Sequence, residues 1–151
     1  MLSSETKQAK GFKMRKKVHK VLIVDDDKDT CRIMSSIFRK KGYRVNSAYD
    51  GKTALQKVAQ QPYDLMILDY HLSREDGLTI LEKTSRIRSS LRTVMVSASA
   101  NEAIKRKAQN LGVYDFFNKP FDVEHLLSVV KRALKARSRE VLNGEKQKIY
   151  T

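Results

Sequence analysis

Asp25-Asp26-Asp27, Asp69, Ser97 and Asn118-Lys119-Pro120 are the residues of this 151-residue chain whose types and spacing suit shared chemistry. Each follows a short apolar run. Val21-Leu22-Ile23-Val24 precedes the three aspartates, Leu65-Met66-Ile67-Leu68 precedes Asp69, Val94-Met95-Val96 precedes Ser97, and a run over 113–117 precedes Asn118. If these runs are parallel strands of one sheet, the polar groups share one edge. Three carboxylates in one cleft repel one another unless a cation joins them. A hard divalent ion is the natural partner, and Mg²⁺ suits because it is commonly held by one or two carboxylates plus water and phosphate oxygens. A lysine and a hydroxyl beside it complete a phosphate or oxyanion site. A carboxylate can also act as a nucleophile and form an aspartyl phosphate. The pattern fits an aspartate that takes a phosphoryl group while Mg²⁺ and lysine neutralise it.

The elements that must position these groups follow from the apolar pattern. The first run is short, continuous and rich in β-branched residues, as expected of a strand buried on both faces of a parallel sheet. Ile33, Met34, Ile37 and Phe38 then fall on one stripe of a helix, with Lys40 and Lys41 in its last turn and Gly42 to close it. A weaker strand is expected over 44–48 and a helix over 52–60, stopped by Pro62. The strand ending at Asp69 is followed by a loop to Gly77 and a helix over 78–88. After a strand over 93–97, Asn101 caps a fourth helix that ends at Gly112. A fifth strand is expected over 113–117. Asp122 then caps a last helix bearing Val123, Leu126, Leu127, Val130, Ala133 and Leu134 on one face, with Asn143-Gly144 as its stop. Strands alternating with helices imply an α/β fold: (βα)5, a doubly wound five-stranded parallel sheet with helices on both faces. In such sheets the ligand site lies at the carboxyl ends of the strands.

Taken together, the segments Val21–Asp27, Asp64–Asp69, Asp76-Gly77-Leu78, Val94–Ala98 and Asn118-Lys119-Pro120-Phe121 resemble a response-regulator receiver domain of two-component signalling, of the single-domain chemotaxis-regulator type. The resemblance covers residues 19–136. It implies a flavodoxin-like strand order 2-1-3-4-5. It makes Asp69 the phosphoacceptor, fed by a sensor histidine kinase or histidine phosphotransfer protein. Asp25, Asp26, Asp69 and the backbone carbonyl of His71 become the ligands of Mg²⁺ (or Mn²⁺). Ser97 becomes the hydroxyl that bonds the phosphoryl oxygen, Lys119 the counter-charge, and Phe116 the aromatic switch. Pro120 and Gly77 set loop geometry, with Lys119–Pro120 cis. The implied protein is a signalling switch and not an enzyme in its own right, although slow self-dephosphorylation goes with the family. Output would pass to a partner protein through the face built by the fourth helix, fifth strand and last helix, as a monomer or a phosphorylation-dependent dimer. Two positions depart from the family pattern. Ser73 stands where a proline is usual, and Phe116 lacks a phenolic hydroxyl. His71 and Ser99 occupy the positions that tune hydrolysis.

Plainer roles compete for several of these residues. Asp25 and Asp26 are also good helix caps. Phe116 and Phe117 alternate across a strand, so at least one packs in the core. Lys105-Arg106-Lys107 reads as a solvated helix face that also lies where receivers meet partners. Cys31 reads as a small residue on the first helix, and His19 and His125 have no partner pattern. A small Mg²⁺-dependent phosphohydrolase would need a second acid two residues after Asp69, where His71 stands. An N-terminal piece of a longer regulator remains the other alternative.

Composition bounds the rest. Thirty-one Lys and Arg face seventeen Asp and Glu, for a net charge of +14. Residues 1–20 hold seven basic residues and one acid, residues 131–151 seven and two, which leaves only +3 between them. The sequence therefore predicts a basic flexible arm over 1–17, a receiver domain over 18–137, and a helix extension with a polar tail over 138–151. No helix-turn-helix segment or aromatic interleaving supports nucleic-acid reading. No apolar run approaches the roughly 20 residues of a membrane span. One cysteine excludes an internal disulfide, and the expected compartment is the cytoplasm.

Overall fold

In the computed structural model of the chain, residues 16–150 are described, with side chains through residue 136. Of the expected arm, only Lys16 and Lys17 fall within the described residues, and the side chains of the C-terminal extension fall outside them. Strands and helices alternate along the described chain: β1 (Lys20–Val24), α1 (Lys28–Lys40), β2 (Arg44–Ala48), α2 (Gly51–Gln60), β3 (Leu65–Asp69), α3 (Gly77–Ile87), β4 (Arg92–Ser97), α4 (Glu102–Asn110), β5 (Asp115–Asn118) and α5 (Val123–Tyr150). The strands pair in parallel in the order β2-β1-β3-β4-β5, as the family resemblance implies.

The short apolar runs form central strands because both of their faces are covered. Val21, Ile23, Leu65, Ile67, Val94, Val96 and Phe117 pack with Met34 and Phe38 of α1 and Leu126 and Val130 of α5. Leu22, Val24, Met66, Leu68 and Met95 pack on the other face with Val58 of α2, Ile80 and Leu81 of α3, and Ala108 of α4. Alternation along each strand thus feeds two cores, and each fully buried aliphatic side chain contributes about 1.5–3 kcal/mol. Asp27, Asp50, Asp76 and Asn101 cap α1 to α4 by accepting backbone N–H bonds from the first turn.

Most boundaries fall within one residue of expectation, and two differ by more. The fifth strand starts at Asp115, not at 113. Gly112 adopts φ +86°, and the Val113 N–H donates to Ala108 O at 3.0 Å, so Val113 is still part of the end of α4. The ladder begins with Tyr114 N–H donating to Thr93 O at 2.8 Å. The last helix runs on through Asn143-Gly144 to Tyr150, where the sequence predicts a stop. A glycine costs a helix only about 1 kcal/mol, and the Glu, Lys and Gln residues that follow are good helix formers.

Gly77 is fixed by a close approach. It opens α3 against the end of β3 and donates its N–H to Tyr70 O at 2.7 Å. A Cβ at this position would lie 2.8 Å from both Asp69 O and Tyr70 Cα. Both contacts are backbone, so they cannot rotate away. Gly77→Ala is expected to lower stability by about 1–3 kcal/mol, the usual range for overpacking. Urea unfolding measures this, and an unchanged midpoint would mean that the β3–α3 connection gives way freely.

Candidate functional site

The sheet order brings the acidic groups together. β1 and β3 are neighbours, with Val24 opposite Leu68, so Asp25 and Asp69 emerge side by side at the carboxyl edge. Both are buried, at 4% and 6% exposure, while Asp26 is exposed. The Asp25 N–H still donates to Ala48 O at 3.1 Å, which holds the start of the acidic turn against β2. Lys119 lies just past β5, and its N–H donates to Ser97 O at 2.8 Å. The Lys119–Pro120 peptide is cis. From this anchor the Lys119 side chain reaches across the end of β4. Its Nζ lies 2.9 Å from Asp69 Oδ2 and 3.1 Å from Asp25 Oδ2.

The remaining carboxylate oxygens are held by backbone. Asp27 N–H donates to Asp25 Oδ1 at 2.9 Å, and His71 N–H donates to Asp69 Oδ1 at 3.0 Å. The three neighbouring aspartates thus divide their work. Asp27 caps α1 through bonds from Asp29 N–H and Thr30 N–H, and Asp25 and Asp26 are left to face the cleft. Cys31 is more than a small helix residue: its Sγ donates to Asp25 O at 3.4 Å. Burial, with the Asp25 charge adding to it, pushes the thiol up to about 11, so it stays protonated as a donor.

Burial raises the Asp69 carboxyl above the ordinary range, and the Asp25 charge adds to the rise. The hydrogen bonds from Lys119 and from His71 N–H oppose it without cancelling it. For Lys119 burial works toward a lower pKa, but the bonds and charges of Asp69 and Asp25 outweigh it, and the ammonium is held above its usual range. The cluster keeps one cation for two buried carboxylates and a third exposed one. Asp25, Asp26 and Asp69 each offer a carboxylate oxygen within 4.8 Å of the others. All donors are hard oxygens, so the set fits a hard divalent cation.

The other predicted residues lie around this cluster. Ser97 is fully buried at the end of β4, and its Oγ accepts from Ser99 N–H at 3.2 Å. Phe116 is half-buried on β5, beside Met95, in the core under α2 to α4. Phe117 takes the opposite face and packs in the other core. His71 Nε2 and Ser99 Oγ are 2.8 Å apart, which ties the β3–α3 loop to the β4–α4 loop. Neither this tie nor the thiol bond has a signature in residue spacing, because each depends on loop conformation.

The electrostatics have a consequence for stability. A carboxyl whose pKa is raised by folding binds its proton more tightly in the folded state. Stability therefore falls as pH rises from the unfolded pKa, about 3.9, through the higher folded one. Asp69→Asn should raise stability at pH 7 by on the order of 1 kcal/mol, because it removes a buried charge that folding disfavours. The gain should vanish below about pH 4, where the wild-type carboxyl is protonated in both states. Lys119→Met should do the reverse and cost about 3 kcal/mol at pH 7, because it strands two buried carboxylates. Urea titrations at both pH values test this, and an Asp69→Asn midpoint below wild type at pH 7 would overturn it.

Comparison with known proteins agrees with this geometry. Residues 21–131 match the response regulator receiver domain family. The chain is 36% identical over 118 residues to the nitrogen assimilation regulatory protein NtrX of Azorhizobium caulinodans, covering 77% of this chain and 26% of that protein. It is 31% identical over 119 residues to the sporulation initiation phosphotransferase F of Bacillus subtilis, covering 79% of this chain and 96% of that one. It thus spans about a quarter of the first relative and nearly all of the second. The crystal structure of a CheY-like receiver domain protein from Methanospirillum hungatei superposes with a TM-score of 0.80 at 27% identity, over 82% of this chain and 99% of that one. With five parallel strands in the order 2-1-3-4-5 and an acidic cluster at their carboxyl edge, the chain belongs to the response regulator receiver domains of two-component systems.

Proposed function

We propose that this chain works as a phosphorylation-driven switch with Asp69 as the phosphoacceptor. The observation that carries the reading is the Lys119 Nζ held between Asp69 Oδ2 and Asp25 Oδ2, beside a third carboxylate from Asp26. A sensor histidine kinase or histidine phosphotransfer protein is the donor. An Asp69 carboxylate oxygen attacks the phosphorus of a phosphohistidine. The P–O bond forms, the P–N bond breaks, and the departing imidazole nitrogen keeps the electron pair.

Asp25, Asp26 and Asp69, with the His71 carbonyl, would hold Mg²⁺ (or Mn²⁺), which supplies charge neutralisation for the phosphoryl oxygens. The chain's own residues do the rest. Lys119 keeps its proton and follows the charge from the carboxylate to the new phosphoryl group. Ser97 exchanges its bond from Ser99 N–H for one to a phosphoryl oxygen, which pulls the β4–α4 loop inward. Phe116, with no hydroxyl to bond, moves for packing reasons alone. The result is a shift between two populations of the α4–β5–α5 face, read by a partner protein. Relatives include both a chain of similar length and much longer regulators. Acting as a stand-alone regulator, the chain passes its signal on through a bound partner or by onward transfer of the phosphoryl group.

Incubation with acetyl phosphate and Mg²⁺, followed by intact-mass measurement, tests the proposal. One phosphoryl group should be gained, none in Asp69→Asn, and little in the presence of a chelator. Ser97→Ala and Lys119→Met should each slow uptake by about tenfold or more, the scale of one lost charge-stabilising contact. A gain that persists in Asp69→Asn would sink the assignment.

A further inference from the structure

Several described lysines gather at the end of the sheet opposite the aspartates. Three separate stretches of sequence meet there: Lys16, Lys17 and His19 before β1, Lys41 and Tyr43 after α1, and Lys131 and Lys135 on α5. They surround an open hollow of about 920 Å³. At its base lie half-buried Tyr43 and the small exposed parts of Leu127 and Leu134, which are 8% and 3% exposed, and the one acid among its lining residues is Glu124. A second hollow of about 500 Å³ shares Tyr43 and continues past Lys20, Arg39 and Arg44. Lys16 and Lys17 from before β1 and Lys131 and Lys135 from α5, far apart in sequence, thus line one surface in the fold.

The lysines there are not committed equally. Lys17 Nζ is bound to Asp64 Oδ1 at 3.0 Å, which pins the segment before β1. Lys41, Lys131 and Lys135 are exposed and carry no ion pair among the described residues. Lysine rims over an apolar floor call for an occupant with both carboxylates and apolar side chains. A nucleic-acid backbone would satisfy the rim and leave the floor wet. A flat bilayer surface would not enter a concave hollow.

We propose that this hollow docks an acidic amphipathic segment of a partner protein. Apolar side chains of that segment rest on Tyr43, Leu127 and Leu134, and its carboxylates meet Lys41, Lys131 and Lys135. The surface is separate from the acidic edge, so the proposal stands or falls independently of phosphorylation at Asp69.

The test uses the full chain and a fluorescent peptide of glutamates with leucine at every fourth position. Binding should be saturable and should weaken with salt. It should drop about tenfold, or roughly 1.4 kcal/mol, in Lys131→Glu/Lys135→Glu and again when the leucines become serines. Lys41→Glu provides a second exposed variant should the double one not fold. These variants should take up phosphate from acetyl phosphate as the wild type does, and Asp69→Asn should bind the peptide normally. Failure to bind at low salt would overturn the proposal. So would indifference to the leucines, or tighter binding of oligothymidylate or anionic vesicles than of the peptide.

Discussion

Two buried carboxylates bridged by one ammonium set the terms for the rest of this structure. Asp25 and Asp69 are almost fully enclosed, yet share a single Lys119 Nζ at 3.1 and 2.9 Å. Like charges a few ångströms apart repel by roughly 3–4 kcal/mol even at an effective dielectric near 20. A fold that keeps such a pair must hold each oxygen from several sides. It does so with the N–H groups of Asp27 and His71, which come from the two loops that follow β1 and β3. The raised Asp69 pKa marks the imbalance that remains after those bonds are made. A hard divalent cation among these oxygens would relieve that imbalance.

Strand order is what makes the bridge possible. β1 beside β3 sets the two aspartates next to each other, and β4 stands between β3 and β5. Lys119 must therefore span β4, and the bond from its N–H to Ser97 O fixes the root of its side chain on that strand. Any event that changes the charge at Asp69 is felt at once by a residue rooted on β4 and β5. The same two strands carry Ser97 and Phe116, and the His71–Ser99 bond links the loops above them. Short, identifiable contacts thus join the acidic edge to the strands beside α4 and α5.

The sequence made the fold and the chemical cluster legible for different reasons. Short, β-branched apolar runs such as Val21–Val24 suit strands covered on both faces, and polar residues directly after such strands crowd one edge. What the residues alone left open was which acid does what. Asp25, Asp26 and Asp27 are identical in type, and only the φ/ψ of the turn makes Asp27 the cap. Val113 looked like strand because it is β-branched and apolar, yet its N–H is spent on the end of α4. Gly144 looked like a stop, but a lone glycine is too weak a signal to end a helix flanked by good formers. The meeting of Lys16 and Lys17 with Lys131 and Lys135 was invisible for a further reason. It depends on α5 returning beside β1 and α1, which only the assembled sheet reveals.

That convergence also changes the meaning of the net charge. In a parallel doubly wound sheet every helix runs back against its strands, so helix N-termini crowd the acidic edge and C-termini the opposite one. The positive ends of the helix dipoles favour the carboxylates at the first edge, and the negative ends favour cations at the second. Arg39, Lys40, Lys57, Arg86 and Lys107 in the last turns of α1 to α4 answer that requirement, at about 0.3–1 kcal/mol each. Part of the basic excess is therefore the ordinary complement of helix ends. Lys131 and Lys135 are different, because they lie well inside α5 and no helix end requires them. They line one hollow with Lys41 and make no ion pair among the described residues, so an acidic ligand on that surface would find them uncommitted.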